Sequence, residues 1–298
     1  MKDADDLISE FKSLELNKYP IEKLRSLVLD IGHIGTILFT LHEGKIIYRA
    51  RPTERNQVFS KKSDVSYLPP EKNLEYKRAS TPNNTMFYGS ILPENINPGE
   101  LNEVRIVGCF ECIPFLRDKT LDGEQKITFG SWIVTKDVPL LAIVHHQDFN
   151  DKSEYIKEMN SEYNKFMTGY PEIRDRTTKL IEYLASEFAK KSTDNQYNYL
   201  ISALFTERII EKGLAGVLYP SVRTDGEGFN VAIHPNFVES NMKLISVGVC
   251  TAYKKGNKTI LDNELVAHIN DDKEDFQYNS VLSKYHIGRE NVLKLLNE

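Results

Sequence analysis

The chain has 298 residues, 40% hydrophobic and 27% charged, with 38 Lys and Arg against 43 Asp and Glu for a net charge of −5. That much apolar material suffices for a sizeable core and excludes a disordered chain, and charges of both signs are interspersed, without the clustered Lys and Arg of a nucleic-acid-binding surface. The amino-terminal MKDADDLISE is acidic, and the most apolar run, 127–145, is broken by Lys136, Asp137 and Pro139, so neither a secretory signal nor a membrane span is expected. In chain order, residues 3–16 and 20–31 carry Leu7, Phe11, Leu14 and Ile21, Leu24, Val28 at helical spacing, which predicts two short helices. Residues 37–41 and 45–50 flank His42-Glu43-Gly44 and predict a hairpin. Residues 51–84 are rich in Pro, Lys, Ser and Asn and predict a long loop. A strand is expected over 86–92, either a helix or a strand over 100–115, and strands over 127–135 and 140–145. Residues 151–191 predict helix divided at Tyr170-Pro171, and 197–212 an amphipathic helix ended by Gly213. Four strands follow over 215–219, 229–234, 244–253 and 258–268, then a helix over 289–297. Strands clustered at both ends of a helical middle predict an α+β fold.

Three cysteines, Cys109, Cys112 and Cys250, are too few and too odd for a disulfide framework and suit a reducing cytoplasm. The Cys109/Cys112 spacing lacks the second pair a zinc site needs, and the adjacent His145 and His146 point to opposite faces of a strand; no metal is expected. The run Asp271-Asp272-Lys273-Glu274-Asp275 lacks the spacing of a calcium loop and reads as a solvated turn.

Four segments place polar residues inside or at the ends of apolar strands: Ile47 through Arg51, Lys77 through Asn83 running into Met86 through Ser90, Phe110-Glu111-Cys112, and Leu218 through Arg223. Within this order stand Tyr48-Arg49-Ala50, Arg78 through Tyr88, Glu111 and Tyr219-Pro220-Ser221-Val222, with Asn230-Val231-Ala232 downstream. Singly, each has a plainer reading. Arg49 would be a surface arginine, Tyr88 a core aromatic, Ser221 a turn residue and Glu111 the solvated face of a helix. Together and in this order they resemble the RES domain, a family named for its Arg, Glu and Ser. The resemblance covers about residues 45–235, with helices interposed between Phe115 and Gln196; Lys77 stands where the family has Gly before its second arginine.

The resemblance implies an ADP-ribosyltransferase-like mixed β core over about 45–268, an N-terminal helical extension over 1–35 and a helical insertion over about 150–195. It implies cleavage of NAD at the nicotinamide–ribose bond by water or phosphate, with NAD as substrate and no further cofactor. It also implies a toxin or defence setting with a neutralising antitoxin or defence partner. Glu111, Arg49 and Ser221 would be catalytic, and Arg49, Arg78, Tyr88, Ser221 and Asn230 would hold NAD. Two other readings are a mono-ADP-ribosyltransferase and a catalytically inactive nucleotide- or partner-binding protein.

The chemistry suits these residue types. Nicotinamide leaves NAD as a neutral molecule and needs no general acid, so one carboxylate can serve where other glycosidases need two. Glu111 would stabilise the oxocarbenium-like transition state, and the guanidinium fork of Arg49 would clamp the diphosphate, with Arg78 sharing that load. Tyr88 would stack on nicotinamide or order the ribose, and Ser221 would offer its hydroxyl to sugar or phosphate. No G-x-G-x-x-G follows a strand, which argues against Rossmann-type dinucleotide binding.

Overall fold

The computed structural model describes residues 2–53, 57–93, 101, 103–191, 195–270 and 273–298. Helices α1 (Ala4–Ser13) and α2 (Ile21–Asp30) lead into strands β1 (Ile37–Leu41), β2 (Ile46–Pro52) and β3 (Phe87–Ile91). Helices α3 (Val104–Cys112) and α4 (Pro114–Arg117), strands β4 (Gly123–Val134) and β5 (Val138–Ala142), and helices α5 (Glu154–Met167), α6 (Pro171–Ala189) and α7 (Leu200–Glu211) follow. Strands β6 (Gly216–Pro220) and β7 (Phe229–Ile233), helix α8 (Pro235–Asn241), strands β8 (Met242–Lys255), β9 (Lys258–His268) and β10 (Asn279–Ser280), and helix α9 (Arg289–Asn297) complete the chain.

Local chemistry explains the boundaries. Pro171 opens α6, where its missing N–H costs nothing, and Gly213 at φ +91° follows α7. Of the ambiguous stretch 100–115, Val104–Cys112 forms helix, with Val107, Gly108 and Cys109 buried. It stops at Ile113, which Pro114 holds in an extended conformation.

The hairpin expected over 37–50 does not form, although both strands do. The strand order is β1-β5-β6-β7-β3-β2-β4-β8-β9-β10, so β1 pairs with β5, and β2 lies between β3 and β4. Geometry makes the reason plain. Five strand spacings separate β1 from β2, about 24 Å across a flat sheet, yet residues 42–45 reach only about 17 Å when fully extended. Residues 135–137 join β4 to β5 over an equally wide separation. The sheet must therefore curl until its two halves face each other. The two connections meet where the Gly44 N–H donates to the Val134 carbonyl (2.9 Å) and the Val134 N–H to the Lys45 carbonyl (2.9 Å).

One leaf is β1-β5-β6-β7-β3 and the other β2-β4-β8-β9-β10. Between them, Leu140, Leu218 and Phe229 of the first pack in one buried cluster with Ile47, Trp132 and Val247 of the second. Alternate residues of the first leaf, Leu141, Val217 and Ala232, turn outward and pack under α1, α2, α6 and α7 against Leu7, Leu24, Leu184 and Leu204. Helices α3 and α4 cover the second leaf through Cys109, Ile113 and Leu116 on Ile127, Phe129 and Cys250. With β5 and β6 parallel and the other pairs antiparallel, the architecture is α+β. The leaves join at β2 and β3 through a single register pair, Tyr48 and Ser90. Gly89 permits that approach, since a Cβ there would lie 2.4 Å from Ile47 Cγ2. All three cysteines are free thiols. Among the described residues, no helix is long and apolar enough to cross a membrane.

Candidate functional site

A cleft of about 380 Å³ opens at the seam between the leaves. Strand β2 contributes Tyr48 and Arg49, β3 Tyr88 and Ser90, α3 Glu111 and Cys112, and β7 Asn230. The turn after β6 contributes Arg223, α4 contributes Arg117, and the loop before β3 contributes Lys77 and Arg78. Glu111, Arg49, Arg78, Tyr88 and Asn230 thus line one cleft, with Ser221 directly behind it.

Glu111 is the only carboxylate among the described lining residues. Its Oε1 accepts from Ser221 Oγ at 2.7 Å and from Asn230 Nδ2 at 2.8 Å. Asn230 is itself fixed, its Oδ1 accepting from Ser90 Oγ at 3.3 Å. Both bonds fall on one oxygen, and no described residue donates to Oε2. The backbone seats this triad firmly: α3 lies so close to β2 that a Cβ on Gly108 would be 2.8 Å from Ala50 Cβ. Ser221, expected to offer its hydroxyl to a ligand, is fully buried. Its Oγ donates to the Glu111 carboxylate instead.

Arg49 donates from Nη1 to the Tyr88 carbonyl at 2.8 Å and lies over the Phe87 ring at 5.4 Å. Its Nε is enclosed and has no acceptor among the described residues. Burial, with Arg51 nearby, lowers its pKa to about 10. A guanidinium destabilised in this way is relieved by an anion. Arg78 differs from expectation. Its Nη1 donates to the Phe188 carbonyl and its Nη2 to the Lys190 carbonyl at 2.9 Å, while the group lies over the rings of Tyr199 (5.2 Å) and Tyr219 (5.7 Å). Its fork therefore caps the end of α6, and what it offers the cleft is charge. Arg117 likewise donates to the carbonyls of Phe110 and Glu111, both at 2.9 Å, and burial followed by the proximity of Arg223 lowers its pKa.

Tyr88 presents its ring to the cleft, but its hydroxyl accepts from the Ala79 N–H (3.1 Å) and shares a hydrogen bond with Ser80 Oγ (2.8 Å). That hydroxyl ties the Arg78 loop to β3, and burial raises its pKa to about 12. Asn73 Nδ2 donating to the Thr81 carbonyl at 2.7 Å, and Asn83 at φ 59°, hold the rest of this loop.

Neither Arg117 nor Arg223 was given a role from the sequence. Arg223 ends the segment 218–223 that the sequence singled out, whereas Arg117 sits in an otherwise ordinary helical segment. Outside the cleft, His145 packs its ring 4.6 Å from Tyr163, and burial lowers its pKa to about 4. Burial raises the thiols of Cys112 to about 11 and of Cys250 to about 12, and Cys109 higher still. Deprotonated thiolates, the form that binds metal, are thereby disfavoured. Glu274 of the acidic run accepts from the Ser63 N–H at 2.9 Å, whereas Asp271 and Asp272 lie outside the described residues.

The family model for the RES domain matches residues 142–246, from the end of β5 through α5, α6, α7, β6 and β7 into β8. That stretch holds Ser221, Arg223 and Asn230, while Arg49, Arg78, Tyr88 and Glu111 precede it. No curated protein and no solved structure matches the chain.

Proposed function

Residues 142–246 carry a RES domain, and on that premise we propose that the protein is an enzyme that cleaves NAD at the nicotinamide–ribose bond, on an ADP-ribosyltransferase-like core. The observation that carries this reading is the single carboxylate of Glu111, fixed through one oxygen by Ser221 and Asn230, in a cleft whose other charged residues, among those described, are all cations. In this reading the bond from ribose C1′ to the pyridinium nitrogen breaks and its electron pair stays with nicotinamide. The Oε2 of Glu111 faces the positive charge that develops on the ribose, an interaction stronger in the transition state than in the ground state. Water or inorganic phosphate then bonds to C1′ through an oxygen and gives up a proton. Arg49, which lines the cleft as a guanidinium, holds the diphosphate. Arg78, Tyr88 and Ser221 shape the site: one caps α6, one ties down the loop, and one orients the carboxylate.

The test is release of nicotinamide from NAD by purified protein, with and without phosphate, beside Glu111→Gln. The amide oxygen of glutamine accepts the same two hydrogen bonds, so the variant should fold and bind NAD normally. Its turnover should fall roughly a hundredfold or more, the scale seen when one preorganised electrostatic group is removed. Full turnover by Glu111→Gln would refute the assignment of the carboxylate.

A further inference from the structure

The charge of the cleft exceeds what NAD asks of it. Arg49, Lys77, Arg78, Arg117 and Arg223 line it against one carboxylate, leaving an excess of four positive charges in a chain whose net charge is −5. Three of the arginines donate to main-chain carbonyls, and among the described residues none of the three donates to a carboxylate. Arg223 stands beside Arg117 closely enough to disfavour its charged form. Like charges gathered in one partly buried cleft repel one another, and the arrangement is relieved when a polyanion binds. NAD supplies little relief. Its diphosphate is offset by the pyridinium, for a net charge of about −1, whereas a ribose 2′-phosphate adds roughly −1.5 to −2 at neutral pH. An arginine is also the group that accommodates such a 2′-phosphate in other dinucleotide sites.

Resting on the dinucleotide-cleaving reading above, we propose that the preferred substrate is the 2′-phosphorylated dinucleotide, NADP, and that Arg223 is the residue that discriminates it from NAD. No described residue accepts a hydrogen bond from Arg223, which leaves its fork available to a phosphate. The turn that carries it is fixed, since the Ser221 N–H donates to the Gly228 carbonyl (3.1 Å) and the Gly226 N–H to the Ser221 carbonyl (2.8 Å).

The experiment measures kcat/KM for nicotinamide release from NADP and NAD, and calorimetric binding of both to Glu111→Gln. At low salt NADP should be favoured at least tenfold in both measurements, and the preference should shrink as added salt screens the charges. Arg223→Gln should narrow the ratio several-fold; a ratio that survives that substitution overturns the role given to Arg223. Equal or tighter binding of NAD overturns the substrate preference. If neither dinucleotide is cleaved, the cleavage reading fails, yet a tenfold tighter binding of NADP would still uphold the charge inference, so the two failures are distinguishable.

Discussion

Ser221→Ala tests how Glu111 is held. The substitution removes a hydroxyl donor 2.7 Å from Oε1 and nothing else, because the main-chain bonds of residue 221 to Gly226 and Gly228 persist. A hydrogen bond to a charged group contributes about 1.5–3 kcal/mol, which at ~1.4 kcal/mol per decade is roughly a ten- to 150-fold effect. Asn230 still anchors the same oxygen at 2.8 Å, so the lower end is expected: kcat falls about tenfold while KM for the dinucleotide holds. Asn230→Ala removes a donor to Glu111 and also the acceptor of Ser90 Oγ, and should lower kcat further. Because both donors act through one oxygen, the double variant should depart from additivity by about 0.5–3 kcal/mol. Steady-state nicotinamide release with circular dichroism as a folding control measures all three. A rise in KM at unchanged kcat would place the Ser221 hydroxyl on the ligand instead, and strictly additive losses would separate the two residues.

Arg49→Ala should weaken dinucleotide binding about tenfold for each ~1.4 kcal/mol that the guanidinium supplies to the diphosphate, as read by calorimetry, with the melting temperature little changed. Gly89→Ala would set a Cβ 2.4 Å from Ile47 Cγ2; overpacking of this kind costs about 1–3 kcal/mol, and chemical denaturation should register it. For His145, burial holds the folded-state pKa near 4 against an ordinary 6.5, so the unfolded chain binds the extra proton first. Its contribution is present above pH 6.5 and is lost as pH falls toward 4, by at most ~3 kcal/mol. His145→Phe should flatten that acid limb in a pH series of melting temperatures. Finally, expression in a bacterial host should slow growth and drain the dinucleotide pool, and Glu111→Gln should abolish both effects.

Much of the fold was legible because its helices and strands carry periodic apolar residues and clear punctuation: Tyr170-Pro171 divides α5 from α6 and Gly213 closes α7. Pairing was not. His42-Glu43-Gly44 has the composition of a hairpin turn, and only the three-dimensional crossing with residues 135–137 sends β1 to β5. For the site, order along the chain sufficed to gather Arg49, Arg78, Tyr88, Glu111 and Asn230, but not to say which atom each would use. Ser221 turned behind the carboxylate, and Arg78 and Tyr88 found acceptors and donors in α6 and in their own loop. Those partners lie up to 112 residues away, beyond the reach of any local pattern.

The exchange of strands between the leaves has a temporal consequence. Glu111 precedes Ser221 by 110 residues and Asn230 by 119, and β1 waits for β5, nearly a hundred positions later, before it has a neighbour. At ~5–20 residues per second, a ribosome that has just released α3 needs roughly 6–24 s more to produce β6 and β7. During that interval neither leaf can close, and the carboxylate has none of the donors that fix it. A nascent or truncated chain therefore lacks the assembled cleft, which is completed only when the second half of the fold has been delivered. Long-range closures of this kind also make for slow folding, which extends that interval past the end of synthesis.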